Sequence, residues 1–430
     1  MMRYAAALLT ASLLLTGCWA TPDDPGIVDP SPTPATENVA ERLPRLTIAT
    51  SGAAPVNSKD TYVSATYTLA DSTGTTVQQG SVDIKGRGNS TWDLFPKKPY
   101  RLKLGNSAAL LGMPASKHWV LLANYSDKTL SRNAIVFELS RVLGFEYTPR
   151  AKDVDVVLNG DYKGIYQLVE HIRIASDRVN IPVLKTSDTT ASAISGGYLM
   201  EVDERSGEVF CPHSSLTTMI FCVKEPETLL DPGWEKQRAY LTNYLDQVDH
   251  AIFGPDFKDS AKGYAAYIDV ASAINYYLAN ELVRNVDGNL RLSTYLYKKR
   301  DGKLYFGPLW DYDLALGNVN YDGADRIEGW QIRSAQWYAR LFEDPAFAAQ
   351  VKARWAQLKS DKLVDHLFAY INERRSYLSK VQTNNFSRWP ILETWVWPNR
   401  VVTGTYFGEV TAMSDWLFYR NKWMDAQLAN

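Results

Sequence analysis

The chain has little cysteine and little histidine: three Cys and five His in 430 residues. Three thiols cannot staple a domain of this size, so a packed core must hold it together. His118, His171, His213 and His250 show neither i,i+4 pairing nor zinc spacing, which removes the common zinc centres and leaves these side chains structural or on the surface. A Gly-x-Ser-x-Gly elbow is absent, as are the P-loop and the Gly-rich loop of ordinary protein kinases. Excess charge is lacking too. The formal net charge is -2, which gives no electrostatic reason to expect nucleic acid as a partner. Long apolar runs are also missing: the one at 4–15, after Arg3, is too short to cross a bilayer as a mature helix. No repeat of fixed period is visible.

That short run ends in Leu15-Thr16-Gly17-Cys18, which is similar to the lipobox of bacterial lipoproteins, with a plain secretory signal as the alternative. Cys18 is then the lipidated residue, and 1–17 are excluded from fold reasoning. Residue 19 is Trp rather than Asp, which favours an outer membrane where the cell has one. Cys211 and Cys222, eleven apart in an exported chain, are candidates for one disulfide, with two buried thiols as the alternative. Residues 19–43 are rich in Pro, Asp and Thr and read as a tether. The expected organisation is a signal and lipobox (1–18), a linker (19–43) and a domain (44–430) with a β-rich part (44–228) and a helical part (229–430).

What is abundant is aromatic: 13 Trp and 25 Tyr, sufficient for aromatic packing between lobes or for a surface that stacks on sugars. Alternation and β-branching predict strands over 45–50, 62–69, 78–84, 95–104 and 119–122. A helix is expected from an N-cap at Ser126 or Asp127 to Gly144, and a hairpin over 153–169 around Asn159-Gly160. After Pro232, helices are predicted over 234–252, 264–284, 335–342, 345–358, 362–381 and 416–428. The fold class is therefore α+β, with a cleft expected between the two halves.

One helical-half segment breaks this pattern. Asn285-Val-Asp-Gly-Asn leads into a strand over 293–298, Asp301-Gly302 turns the chain, and a strand over 303–306 leads to Trp310-Asp-Tyr-Asp313. Pairing across this hairpin brings Asp287 and Asp311, 24 positions apart, to the same end of the ribbon. Carboxylates gathered this way repel one another and need a divalent cation, a basic side chain or a proton. The single-Asp alternative is an ordinary turn or cap. Asn285 and Asn318 flank the group and favour a metal or substrate site.

The chain order (Gly-containing turn at 85–92, strand with Lys97 and Lys98, helix carrying Glu138, hairpin, then helices around an Asp pair) matches the parts needed for phosphoryl transfer. In that reading Arg87 and Asn89 belong to a turn covering the nucleotide. Lys98 or Lys97 neutralises the phosphates, and Glu138 holds the Lys.

Lys85-Gly-Arg-Gly-Asn-Ser-Thr-Trp with Phe95-Pro-Lys-Lys-Pro-Tyr-Arg-Leu-Lys, the block at 119–133, the block at 158–170 and Pro308-Leu-Trp-Asp-Tyr-Asp313 resemble the CotH family of spore-coat and secreted kinase-like proteins. The resemblance implies an atypical two-lobed protein-kinase-like fold. It implies transfer of the ATP γ-phosphate to Ser or Thr of exported or cell-surface proteins, with Mg²⁺ or Mn²⁺. Carried over by motif, Asp287 is the catalytic Asp and Asp311 a metal ligand, with Asp313 beside it. One departure stands out: ordinary kinases place a metal-binding Asn five residues after the catalytic Asp, and here that position is Leu292. The alternative is a catalytically inactive, lipid-anchored surface protein binding glycan or an envelope protein, for which Trp389, Trp395 and Trp397 are the aromatic candidates. A glycosidase working through Asp pairs is a third reading.

Overall fold

A strand that alternates apolar and polar residues can bury only one face, and seven such strands satisfy this by closing on themselves. In the computed structural model, which describes residues 42–205 and 209–429, they are β1 (Arg45–Thr50), β2 (Val63–Ala70), β3 (Thr76–Gly86), β4 (Tyr100–Leu110), β5 (Met113–Leu122), β6 (Ala151–Leu158) and β7 (Asp161–Glu170). Their order around the closed barrel is β1-β2-β3-β4-β5-β7-β6. All neighbours are antiparallel except the closing pair, β1 with β6, where Leu46 stands opposite Val156. The interior is filled by Leu46, Ile48, Tyr67, Ile84, Leu102, Trp119, Val154, Tyr166 and Leu168. On β4 the expected alternation holds: Tyr100, Leu102 and Leu104 are buried, while Arg101 and Lys103 point away.

The β3–β4 connection carries a five-residue helix, α1 (Ser90–Leu94). Gly86 is needed there because a Cβ would stand 2.3 Å from the Trp92 ring, and Gly88 because its φ is +86°. The next helix, α2 (Arg132–Leu143), starts later than the sequence suggests. Its N-cap is Ser131, while the buried Asp127 carboxylate accepts from the backbone NH groups of Ser131 and Arg132 (3.0 and 2.8 Å). Gly144, at φ +79°, ends it as expected. Asn159 and Gly160, both at positive φ, make the β6–β7 turn.

A second sheet has the order β11-β10-β8-β9, from β8 (Tyr198–Val202), β9 (Phe221–Glu225), β10 (Thr294–Lys298) and β11 (Leu304–Phe306). It spans the expected boundary at 228, since two strands come from either side of it. Its Leu199, Tyr295 and Tyr297 pack with Trp310 against Val120 and Val169 on the outside of the barrel. The helical part comprises α3 (Glu235–Phe253), α4 (Tyr264–Tyr267), α5 (Val270–Val283), α6 (Gln336–Leu341), α7 (Pro345–Ser360), α8 (Leu363–Ser379), α9 (Gln382–Arg388) and α10 (Tyr406–Leu428). Helix α5 is buried almost all round and forms its axis.

Several elements differ from expectation. The helix expected over 264–284 is split by Asp269, whose NH donates to Leu304 O and whose carboxylate caps α5 through Ser272 N. Helix α10 begins at Tyr406, ten residues early, with Thr405 as cap. Strand β9 and helix α9 were not expected as elements. Cys211 is disulfide-bonded to Cys222. Cys18, the signal segment and the linker up to residue 41 lie outside the described residues. Among the described residues, no helix is long and apolar enough to cross a membrane.

Candidate functional site

Antiparallel pairing of β10 with β11 sets Leu296 opposite Phe306. The segment before β10 and the segment after β11 therefore leave the sheet at one end. Asp287, Asp311 and Asp313 line one cleft there, together with Gly88, Asn89, Arg205 and Ser293. Backbone and amide contacts fix them. Asn285 Nδ2 donates to Asp311 O (3.5 Å), and Asp287 N donates to Asn285 Oδ1 (3.3 Å). Helix α2 contributes Asn133, whose Oδ1 accepts from Tyr312 N at 2.7 Å. Asn318 Nδ2 donates to Asp313 O (2.8 Å) and Ser126 O (3.2 Å). Asp311 itself lies at φ +66°, a conformation that non-glycine residues hold only when the surroundings impose it. Gly288 leaves no room for a side chain, since a Cβ would stand 2.1 Å from Asn280 Oδ1.

The carboxylates outnumber the nearby cations. Burial, then the Asp311 charge, raise the Asp287 pKa to about 6, with Arg205 and Arg291 offsetting part of this. Asp313 is pushed well above the usual carboxylate range by burial and by Asp311, Asp127 and Asp287, against which Arg87 works. Such a set of hard oxygen donors with unbalanced negative charge fits a divalent cation such as Mg²⁺ or Mn²⁺. Among the described residues no group of three His, Cys, Asp or Glu side chains is placed to hold a metal ion. The two observations agree if one or two carboxylates hold the ion and phosphate or water completes its shell, the usual arrangement for Mg²⁺.

The glycine turn approaches the same cleft. The Arg87 guanidinium lies 5.7 Å from the Trp310 ring centroid, beside the acidic group. Asn89, with its amide oxygen turned toward Arg205, accepts from Arg205 Nη2 at 3.3 Å, and Arg205 also bonds Asp203 (2.8 Å). Arg205 went unnoticed in the sequence because it lies in a loop with no motif; its one signal is its place just beyond β8. Asn133 was missed for a similar reason, being one polar residue in the first turn of a helix.

Three sequence-derived candidates lie elsewhere. Lys97 is buried, and its Nζ donates to Ile165 O (2.5 Å) and Asn385 Oδ1 (2.9 Å), joining the barrel to α9. Burial lowers its pKa to about 7. Lys98 Nζ donates to Trp92 O (2.5 Å) and braces α1. Glu138 pairs with Arg141 (2.7 Å) and His366 (2.6 Å), so it holds neither Lys. One residue earlier on the helix, Phe137 faces Trp310 at 6.3 Å; the roughly 100° step per residue turns Glu138 toward α8. The cations that flank the acidic cleft are Arg87 and Arg205.

A family model described as CotH kinase protein matches residues 84–424, from β3 into α10. No curated protein matches the chain.

Proposed function

Since the chain belongs to the CotH kinase protein family, we propose that it transfers the γ-phosphate of ATP to Ser or Thr hydroxyls of exported or cell-surface proteins, the barrel and the helical part serving as the two lobes of an atypical kinase. The observation that carries this reading is the convergence of Asp287, Asp311 and Asp313 with the glycine turn in one cleft. Asp311 and Asp313 are the side chains that would hold Mg²⁺ or Mn²⁺. Bound there, the cation supplies neutralisation of the phosphate charge. Arg87, Arg205 and the backbone beside Gly88 bind phosphate oxygens and orient the γ-phosphoryl group. Asp287 accepts the proton of the acceptor hydroxyl as that oxygen bonds to the γ-phosphorus and the bond to the bridging oxygen of ADP breaks. A pKa of about 6 suits this role, because the group is ionised at neutral pH yet still basic. Leu292 occupies the place of the usual Asn, so Ser293 and Asp313 are the oxygen donors available for a second cation.

The Leu15-Thr16-Gly17-Cys18 motif and the Cys211–Cys222 disulfide support an extracytoplasmic chain held to the envelope through lipid on Cys18. Cys18→Ser is expected to move the protein from the membrane fraction to the soluble one.

The test of the activity is transfer from labelled ATP, with Mg²⁺ or Mn²⁺, to the chain itself or to a casein-like acceptor. Asp287→Asn and Asp311→Ala are each expected to lower transfer about a hundredfold or more while leaving the protein folded. Absence of label together with absence of any nucleotide-dependent rise in melting temperature, for the unaltered chain, would overturn the reading.

A further inference from the structure

On the side of α2 away from the acidic cleft, a groove of about 910 Å³ runs between the barrel and α8. Its walls include Met113 at the β4–β5 hairpin, Arg141 of α2, Arg150 just before β6, Lys152 of β6, and Tyr370 and Tyr377 of α8. Five basic residues line it, counting Arg42, against two acidic ones. Asp153 and Arg374 pair with each other and offset, which leaves four basic residues against Glu373. Arg141 and Arg150 each hold a carboxylate, Glu138 and Glu170, yet a guanidinium has five N–H donors and keeps some for a ligand. The groove's cationic character therefore rests on Lys152 and on the remaining N–H donors of Arg141 and Arg150, with two tyrosines and a methionine as apolar wall.

At its deep end, a pocket of about 30 Å³ shares Arg141, Asp153, Tyr370 and Arg374 with the groove and adds Gln167. Gln167 is 1% exposed, and both its Nε2 and Oε1 lack a hydrogen-bond partner. A buried amide left so forfeits the hydrogen bonds it would make to water, which favours a ligand that supplies both a donor and an acceptor. A fully ionised anion such as sulfate can only accept hydrogen bonds and would leave Oε1 unmet. A peptide group both donates and accepts, and it satisfies both atoms of the amide.

We propose that this groove docks an acidic polypeptide segment, with a peptide group of the bound chain paired to Gln167 and its carboxylates against Arg141, Arg150 and Lys152. Identifying that segment as part of the acceptor protein rests on the kinase reading; the binding itself does not. Phe137 of α2 lines the deep pocket and faces Trp310, next to Asp311, so an acceptor held here is bound on the reverse side of the wall that carries the cleft.

The experiment is fluorescence anisotropy of the full-length chain, without nucleotide, against a labelled ten-residue peptide of Glu and Leu. Binding that weakens steeply with salt is expected. Arg141→Glu combined with Lys152→Glu should weaken it at least tenfold with the melting temperature retained. Gln167→Leu should weaken it several-fold without loss of stability. The proposal is overturned if the peptide does not bind, if the double variant binds equally well, or if inorganic phosphate displaces the peptide at matching concentration. Asp311→Ala should bind the peptide as the unaltered chain does. Peptide binding together with absence of any transfer would thus remove the kinase reading and leave the groove standing.

Discussion

Asp287 is where the chemistry of the cleft can be read as thermodynamics. Its carboxyl, at about 6 in the folded protein, takes up a proton more readily than in the unfolded chain, where the ordinary value is 3.8. Stability from this group is complete below pH 3.8 and is lost as pH rises through 6, because the ionised form is buried beside Asp311. The shift corresponds to at most about 3 kcal/mol. In chelator, Asp287→Asn is therefore expected to melt higher than the unaltered protein at pH 8 and the same at pH 3.5. Equal melting at both pH values would show that the carboxylates do not strain the fold. Gly88 gives a second residue-scale prediction. At φ +86°, with a Cβ only 2.6 Å from Thr91 Oγ1, Gly88→Ala should cost about 1–2 kcal/mol and raise KM for ATP more than it lowers kcat. At this scale the sequence was informative about the acids and uninformative about the bases. Asp287 and Asp311 stand in motif blocks tied to a hairpin whose register follows from the strand pattern. Lys97 and Lys98 are adjacent, and which face each takes depends on Ile165, Asn385 and Trp92, which local pattern does not reveal.

Among secondary-structure elements, α5 depends on α10 for its charge balance. Glu281, fully buried, accepts from the backbone NH groups of Gln331, Ile332 and Arg333 and pairs with Arg420 at 3.1 Å. Arg420 also donates to Glu281 O, Ile327 O and Gly329 O. Removing one partner strands the other charge, so Arg420→Met is expected to destabilise by about 3–5 kcal/mol. Denaturant unfolding checks this, and a change under 1 kcal/mol would contradict it. Elements whose ends are marked by local chemistry were legible in part: the Asn159-Gly160 hairpin, the Gly144 stop and helix α7, which follows its Asp344 cap. Those fixed by long-range contact were not. Asp269 breaks a helix because its NH meets Leu304, and α9 exists because Asn385 is held by Lys97 and Ile165 of the barrel.

For the molecule as a whole, the second sheet decides the layout. Its β8 and β9 precede the helical part and its β10 and β11 interrupt it, so neither part of the sequence contains the cleft alone. The Cys211–Cys222 disulfide ties β9 to the segment that follows Arg205. Closing an eleven-residue separation is worth about 3 kcal/mol in chain entropy. Reduction should thus lower the melting temperature and, through Arg205, weaken nucleotide binding; unchanged binding in the reduced protein would separate that loop from the cleft.

Composition and strand alternation by themselves determined an α+β chain with its acids at one end of a hairpin, and the motif blocks carried the resemblance to the CotH family that the family model bears out. Those features are local, or are carried by short blocks whose chemistry travels with them. Only the tertiary structure decided that the strands close into a seven-stranded barrel, that Lys97 and Glu138 pair away from the cleft, that Arg205 reaches it and that Asn133 holds the backbone between Asp311 and Asp313. Each of those outcomes depends on partners tens to hundreds of positions away. Side-chain pairing at that distance is set by burial and hydrogen-bond satisfaction in the folded whole.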